Sequence, residues 1–221
     1  MNAPTSTPLR PPHSPIKLYY SPAACSLAVH IAAREAGVPI ELVEVNLATH
    51  QLKDGGDYFA INPRGYVPAL QLDDGLVLTE VASLVQYLAD LKPENELAPE
   101  AGTLERVQLQ AWLTFISSEL HKVFSPWLWH KETAASTVAN VREKIAMRFA
   151  ELDRVLAMQP YLMGDRFSVA DAYAFAIVNW SNFLDVDLAA YPALSTYMAR
   201  IAERPKVKEA MVAEHLIKKA A

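Results

Sequence analysis

LYYSPAACSLAVHIAAREAG, residues 18–37, contains the end of a predicted β-strand, a polar turn and a predicted helix. Residues 16–20 have the composition of a strand, which a Ser-Pro pair ends. Residues 26–36 carry apolar side chains at helical spacing, and Gly37 supplies a stop. The alternating residues 40–45 predict a second strand. A strand, a helix and a strand in close succession indicate a βαβ unit with two parallel strands.

A β-hairpin and a helix are predicted to follow this unit. After a polar segment with weak helix signals, residues 67–72 and 76–78 predict two strands around a tight Asp-Asp-Gly turn. Residues 80–91 then predict a helix, because its apolar residues lie on one face, and Pro93 closes it. The N-terminal module is therefore expected to be βαβ followed by ββα.

The chain after residue 103 lacks strand alternation, which predicts an all-α second domain. Helices are expected near 104–129, 136–157, 169–184, 192–203 and 206–214. Ser168 and Asp171 have the spacing of a capping box, which predicts the start of the third of these helices. The expected organisation is a disordered tail over 1–15, an α/β domain over 16–92, a linker over 93–103 and an all-α domain over 104–221.

The overall composition favours a folded protein and argues against several classes of function. The 221 residues carry a formal net charge of −5, which argues against a nucleic-acid-binding protein. No run approaches roughly 18 consecutive apolar residues and no secretory signal is recognisable, so no association with a membrane is expected. The single cysteine cannot form a disulfide within one chain, which favours a reducing, cytoplasmic setting.

That cysteine, Cys25, lies where the polar turn becomes helix. The free N–H groups and the positive dipole end of a helix lower the pKa of a thiol there, which predicts a reactive thiolate. An inert, buried thiol is an equally weighted alternative, because free cysteine is among the most buried residue types. The chain has no Cys-x-x-Cys pair, so any redox chemistry would need an external thiol.

The Val67-Pro68 pair stands at the start of the predicted hairpin. Because an X-Pro bond adopts cis at low cost, this bond is a candidate cis peptide. In such a turn the backbone of Val67 points outward and pairs with a peptide-like ligand as an added strand. A trans turn without a ligand is the alternative.

A predicted helix in the second domain, LQAWLTFISSELHKVFSPW, is apolar on most sides and polar along one narrow stripe. The stripe consists of Thr114, Ser118, His121 and Ser125, with Ser117 and Lys122 beside it. This pattern favours a buried helix that faces a polar cleft, where hydroxyls, an imidazole and an ammonium stabilise a thiolate or bind carboxylates. Ordinary solvent exposure, with His121 as a structural histidine, is the alternative.

Glu80 lies at the entrance to the predicted helix over 80–91. A first-turn glutamate is stabilised by the helix dipole, so a capping role explains it without a ligand. Alternatively, it pairs with a substrate ammonium while the adjacent N–H groups bind a carboxylate.

The plan of a βαβ-ββα module, a short linker and an all-α domain resembles the cytosolic glutathione transferases, whose first domain is thioredoxin-like. The segments NPRGYVPALQLDDG, LTEVASLVQYLAD, ISSELHK and FSVADAY, together with residues 18–37, are similar to the bacterial beta class. The resemblance runs from about residue 16 to the end of the chain. It implies a cytoplasmic, homodimeric detoxification enzyme that uses glutathione as co-substrate and holds no metal.

The resemblance also implies roles for individual residues. Val67 would pair with the cysteinyl backbone of glutathione, Glu80 with its γ-glutamyl end and His50 with its glycyl carboxylate. Thr114 would contribute to the site of the neighbouring subunit. The residues implied to contact glutathione are Cys25, Ser26, His50, Val67, Pro68, Glu80, Val81, Thr114, Ser118 and His121, and those implied to be catalytic are Cys25, His121 and Lys122.

Three of these positions depart from the residues that are usual in the family. Many relatives have lysine in place of His50, a small residue in place of Val81 and asparagine in place of Thr114. An imidazole is only partly charged at neutral pH, a valine adds bulk beside the γ-glutamyl group, and a threonine lacks the amide. The affinity for glutathione is therefore the property that these departures put in question.

Two functions remain open at this point. The first is an enzyme that transfers the sulfur of glutathione to a small apolar electrophile, or that reduces mixed disulfides or peroxides through Cys25. The second is a non-catalytic binding protein with a degraded glutathione site. Aromatic residues that are candidates for an electrophile pocket, although such residues are more often core, are Phe124, Trp127, Trp129, Tyr173, Trp180 and Phe183.

Overall fold

A five-stranded mixed β-sheet begins the fold in the computed structural model, which describes residues 15–218. The strands are β1 (Ile16–Tyr20), β2 (Ile40–Asn46), β3 (Gln51–Leu52), β4 (Ala69–Gln71) and β5 (Val77–Thr79). Their order across the sheet is β3-β2-β1-β4-β5. β1 and β2 are parallel, with Ile16 opposite Ile40, and the other three pairs are antiparallel. This topology confirms the predicted βαβ-ββα module.

Two helices belong to this N-terminal half: α1 (Ser26–Ala36) connects β1 to β2, and α2 (Val81–Asp90) follows β5. α1 is buried over most of its length because it packs against α2 and also against helices of the C-terminal half. Gly37 ends α1 with a φ of 67°, a left-handed conformation that glycine adopts without strain. The predicted glycine stop is therefore confirmed.

Some details of the N-terminal half differ from the predictions. The polar segment with weak helix signals contains β3, which pairs with the end of β2, and a single 3-10 turn at Tyr58–Ala60. Pairing with the preceding strand β2 overrides local propensity there. The hairpin strands β4 and β5 are three residues each, so the first is shorter than predicted. The tail predicted over 1–15 lies, up to residue 14, outside the described residues.

The C-terminal half is helical, as predicted. Its helices are α3 (Leu104–Phe115), α4 (Ala135–Leu156), α5 (Val169–Val178), α6 (Pro192–Ala202) and α7 (Pro205–Ala213). α3 continues into a π-helical segment over Ile116–His121 and a last turn over Lys122–Phe124. The helix predicted over 104–129 therefore ends early, because Pro126 has no N–H to extend it. The helix predicted over 169–184 likewise changes after Val178 into a 3-10 turn.

The start of α5 confirms the predicted capping box. The backbone N–H and the hydroxyl of Ser168 both donate to the Asp171 carboxylate at 2.8 Å. That carboxylate also accepts hydrogen bonds from the N–H of Leu162 at 2.9 Å and from the hydroxyl of Tyr197 at 3.0 Å. α5 is buried along its whole length, so this carboxylate anchors the central helix of the C-terminal half.

One apolar core extends from α1 and α2 into the C-terminal helices. A smaller cluster around Tyr19, Val45 and Tyr58 contains residues that alternate along β1 with those of the large core, so it lies on the other face of the sheet. Within residues 15–218, no helix has the length and apolarity needed to cross a membrane.

Candidate active site

Cys25 lies at the N-terminal end of α1, next to the turn that precedes β4. Its thiol is 8% exposed and donates a hydrogen bond to the carbonyl of Val67 at 3.3 Å. Burial raises the pKa of the Cys25 thiol to about 12, although the charge of Lys122 and the backbone N–H groups at the helix start lower it. The predicted low-pKa thiolate is therefore wrong for this structure, because desolvation outweighs the helix dipole.

The turn that carries Cys25 is held by two residues of the C-terminal half. Ala23 has a φ of 62°, which is unusual for a residue with a Cβ. Its N–H donates to the Glu214 carboxylate at 3.2 Å, and its carbonyl accepts from Trp180 Nε1 at 2.8 Å. The position of the thiol therefore depends on contacts between the two halves of the chain, which no local sequence pattern indicates.

Ser26, the neighbour of Cys25, closes the same turn from within. Its side chain is fully buried. Its hydroxyl donates to the carbonyl of Ser21 at 3.2 Å and accepts from the N–H of Ser21 at 3.3 Å. The structure thus gives this hydroxyl an internal partner beside the thiol.

The Val67-Pro68 peptide bond is cis, which confirms the prediction. Tyr58 and Asn62 shape the approach to it, because the Tyr58 hydroxyl and Asn62 Nδ2 both donate to the carbonyl of Tyr66, at 2.8 Å and 2.7 Å. The carbonyl of Val67 points toward the Cys25 thiol. The two residues that the sequence analysis singled out in separate segments are thus in direct contact.

His121 is turned inward from the end of the π-helical segment. Its Nδ1 lies 2.8 Å from the Tyr173 hydroxyl, and its ring contacts Trp180 edge to face at a centroid distance of 5.1 Å. Burial, with a smaller contribution from the charge of Lys122, lowers the pKa of His121 to about 4. His121 is therefore neutral at physiological pH. The sequence analysis named Tyr173 only as a possible pocket residue and missed its hydroxyl contact.

Lys122 brings a positive charge to the region of the thiol. Its side chain is exposed, and Nζ lies 5.9 Å from the ring centroid of Tyr66. The charge of Lys122 acts on Cys25, whose pKa it lowers, so the ammonium is electrostatically coupled to the thiol. Tyr66 was not predicted, since one exposed tyrosine in a turn carries no local signal.

Glu80 occupies the N-cap position of α2, but its side chain does not cap the helix. The carboxylate is mostly exposed and pairs with Arg64 at 2.9 Å, so the capping explanation is wrong. The φ of Glu80 is 72°, in the left-handed region. Val81 is buried in the core, so its extra bulk lies away from the surface. The first N–H groups of α2 have no intrahelical carbonyl to bond, as at any helix start.

Among the described residues, the hydroxyls of Thr114 and Ser118 form no hydrogen bond with Cys25 or His121. Both residues are exposed, and their hydroxyls donate to the backbone carbonyls four residues earlier, at 2.8 Å and 2.9 Å. The i to i+5 bonding of the π-helical segment rotates His121 away from Ser118. The single polar stripe predicted from regular helical spacing is therefore wrong: its hydroxyls lie on the surface, while its imidazole contacts Tyr173.

His50 is bonded to the Tyr58 turn, because its carbonyl accepts the N–H of Tyr58 at 2.9 Å. Its backbone has a φ of 54°, and its ring packs on Phe59 with centroids 4.4 Å apart. Its Nδ1 is buried without a hydrogen-bond partner among the described residues. The structure does not bring this side chain into contact with Cys25.

The six aromatic residues named for an electrophile pocket divide into two groups. Phe124, Tyr173 and Trp180 are buried in the core, whereas Trp127, Trp129 and Phe183 are about half exposed. Trp129 packs edge to face on Trp180 at a centroid distance of 5.6 Å, which connects the exposed group to the ring beside His121. Among the described residues, no group of three or more His, Cys, Asp or Glu side chains is placed to hold a metal ion.

Comparison with known proteins places the chain in a family. Two family models match it: the glutathione S-transferase N-terminal domain over residues 23–91 and the C-terminal domain over 115–205. Glutathione S-transferase GstA of Escherichia coli O157:H7 is 40% identical over 91% of this chain and 100% of its own length. Two solved structures are also similar. One is a sphingomonad glutathione S-transferase complexed with glutathione, which is 44% identical, and the other is a beta-class glutathione S-transferase of Sphingomonas chungbukensis, which is 43% identical. Each match covers 91% of this chain and 100% of the solved chain, with a TM-score of 0.87. The chain therefore belongs to the glutathione S-transferase family, in its bacterial beta class.

Proposed function

We propose that this protein binds glutathione beside Cys25 and transfers the glutathione sulfur to small apolar electrophiles. Membership of the glutathione S-transferase family supports the reaction, and so does the complex of the sphingomonad relative with glutathione. The observation that carries the assignment is the state of Cys25: its thiol is buried, bonded to Val67 and held protonated by a pKa of about 12. The nucleophile in this site is then the thiol of glutathione rather than the protein's own.

Glutathione is a peptide-like molecule with two carboxylates and one ammonium, and the groups around Cys25 fit it. The exposed Glu80 carboxylate suits the ammonium, and the unpaired N–H groups that begin α2 suit the adjacent carboxylate. The backbone of Val67, with Pro68 after it, suits pairing with the central residue. His50 is assigned to the remaining carboxylate through Nε2, because its Nδ1 is fully buried and closed to a ligand.

Lys122 and His121 are the groups that we assign to activation of the glutathione thiol. An ammonium lowers the pKa of a nearby thiol by favouring the anion, and a neutral imidazole donates one hydrogen bond to it. The start of α1 adds its dipole. Cys25 has a supporting role in this assignment, in contact with the ligand and not as the attacking group.

The electrophile pocket and the assembly of the protein belong to the same proposal. Trp127, Trp129 and Phe183 offer exposed apolar surface near Trp180 for the second substrate. The protein is inferred to be a cytoplasmic homodimer, in which the exposed Thr114 and Ser118 of one subunit complete the site of the other. The glutathione-binding domain is taken as 16–92, the linker as 93–103 and the second domain as 104–221, with detoxification as the biological role.

A non-catalytic binding protein is less favoured, because two of the three departures from the family pattern leave the site intact. Val81 directs its side chain into the core, and Thr114 keeps an exposed hydroxyl. Reduction of mixed disulfides is also less favoured, because it would require attack by the Cys25 thiolate. The burial of that thiol opposes this step.

A parallel assay of wild type and Cys25→Ala tests the proposal. With an aryl halide and glutathione, we expect Cys25→Ala to keep conjugation within about tenfold of wild type, since the attacking sulfur belongs to glutathione. With a glutathione mixed disulfide, little activity is expected from either protein. Loss of conjugation in Cys25→Ala would contradict the assignment, and so would reduction of the mixed disulfide by wild type but not by Cys25→Ala. A wild type that neither binds immobilised glutathione nor conjugates it would contradict it too.

A further inference from the structure

The environment of His121 determines which of its two nitrogens carries the proton. We propose that a hydrogen-bond relay from Tyr173 fixes the Nε2–H tautomer of His121, so that Nε2–H donates to the sulfur of bound glutathione. This inference rests on the proposed function, since it concerns the thiol of glutathione. It makes Tyr173 a positioning residue that acts through His121.

The geometry joins two side chains from two helical segments. His121 Nδ1 and the Tyr173 hydroxyl are 2.8 Å apart, and the two rings meet edge to face at a centroid distance of 5.9 Å. Tyr173 is only 2% exposed on the buried helix α5, so water does not compete freely for its hydroxyl.

The direction of the relay follows from counting protons. A phenol has one proton, and a buried phenol needs an acceptor for it. Within residues 15–218, no carbonyl or carboxylate oxygen lies within hydrogen-bond distance of the buried Tyr173 hydroxyl, which leaves Nδ1 of His121 at 2.8 Å as the acceptor. Tyr173 then donates to Nδ1 of His121.

This arrangement leaves the histidine proton on the opposite nitrogen. The ring of His121 is neutral, because burial lowers its pKa to about 4, so it carries one N–H. With Nδ1 accepting from Tyr173, the proton is on Nε2. Within the described part of the chain, Nε2 has no hydrogen-bond partner. It is also not fully buried, so a ligand can reach it.

The reverse arrangement leaves one buried proton without an acceptor. If Nδ1–H of His121 donated to Tyr173, the buried phenol proton would have no carbonyl, carboxylate or imidazole acceptor within residues 15–218. A buried donor without an acceptor is destabilising, because it has lost its hydrogen bond to water and gained none in the protein. Nε2 would then be an acceptor, which repels a thiolate instead of stabilising it.

Nuclear magnetic resonance of the ligand-free protein tests the relay directly. The chain is labelled with ¹⁵N-histidine, and the His121 signals are assigned as those lost in His121→Gln among the six histidines. At pH 7 we expect an unprotonated Nδ1 and a protonated Nε2 in wild type, and a mixture of tautomers in Tyr173→Phe.

Kinetics supply the second measurement. In Tyr173→Phe we expect kcat for an aryl halide at saturating glutathione to fall about tenfold. Removing a group that itself donates to the reacting atom typically costs about 100-fold in kcat, and Tyr173 acts only through His121. The KM for glutathione should change less than kcat. The matched control is Tyr191→Phe. The Tyr191 hydroxyl donates to the carbonyl of Ala146 at 3.2 Å and has no other hydrogen-bond partner within residues 15–218, so its loss should change neither the His121 tautomer nor kcat.

The two hypotheses fail in different ways. A proton on Nδ1 of His121 in wild type overturns the relay, and so does a tautomer that is the same in wild type and Tyr173→Phe. If the tautomer behaves as expected but wild type transfers no sulfur from glutathione, the relay stands and the proposed function is wrong. Melting temperatures of all variants separate unfolding from either result.

Discussion

Burial shifts the pKa of Cys25 in the direction opposite to the one that its neighbours favour. Cys25 lies at a helix start and feels the charge of Lys122, and both effects favour a thiolate. Desolvation is nevertheless larger, because the sulfur is enclosed by the core and by the carbonyl of Val67. The sequence identified the position of Cys25 correctly, but exposure is a property of the whole packed structure, so its reactivity could not be predicted from the chain alone.

The first prediction concerns the reactivity of this thiol. The chain has one cysteine, so alkylation by iodoacetamide reports Cys25 alone. Because burial raises the pKa to about 12, we expect the native rate to keep rising beyond pH 10 without a plateau. In denaturant the same thiol should titrate near about 8.5, which serves as the control. A plateau in the native protein below that value would show that the helix start and Lys122 outweigh burial.

At the scale of single elements, local signals located the helix starts better than the helix interiors. Ser168 and Asp171 are three residues apart, and the hydrogen bonds they predict are present. Nothing in the segment from Ile116 to His121 indicates π-helical bonding, because all of its residues are compatible with a regular α-helix. That single irregularity moved His121 away from Ser118 and made the predicted polar stripe wrong. The short β3 was missed for a related reason, since a partner strand stabilises it.

A second prediction tests the anchor of α5. Asp171→Asn keeps the size of the side chain but turns an amide N–H₂ toward the donors of Ser168. Because the site is fully buried, the donors left unpaired should cost about 2 kcal/mol of unfolding free energy. Urea denaturation followed by fluorescence measures the loss. Asp165→Asn, an exposed change in the same loop, is the matched control and should stay within about 0.5 kcal/mol of wild type. Equal stability of the two variants would contradict this role for Asp171.

At the scale of the whole molecule, the C-terminal end of α7 is tied to the turn that carries Cys25. Arg34 Nε donates to His30 Nε2 at 2.8 Å, so the proton of His30 is on Nδ1, which donates to Glu214 at 2.8 Å. The second oxygen of Glu214 accepts the N–H of Ala23 at 3.2 Å, across 191 residues of sequence. The order of domains could be predicted because each has its own periodicity, whereas contacts over such separations leave no local pattern.

The third prediction follows from this link between the two halves. Glu214→Gln places an amide N–H₂ against either the N–H of Ala23 or Nδ1–H of His30, so one buried donor loses its acceptor. We expect the turn to open more often and the native-state reaction of Cys25 with a disulfide reagent to become about tenfold faster, which corresponds to about 1.4 kcal/mol of local stability. The matched control is Glu203→Gln, whose exposed carboxylate pairs with Lys208 on the surface; it should react like wild type. If Glu214→Gln lowered the unfolding free energy without changing the Cys25 rate relative to Glu203→Gln, the carboxylate would stabilise the fold generally, and the turn would be held by Trp180 instead.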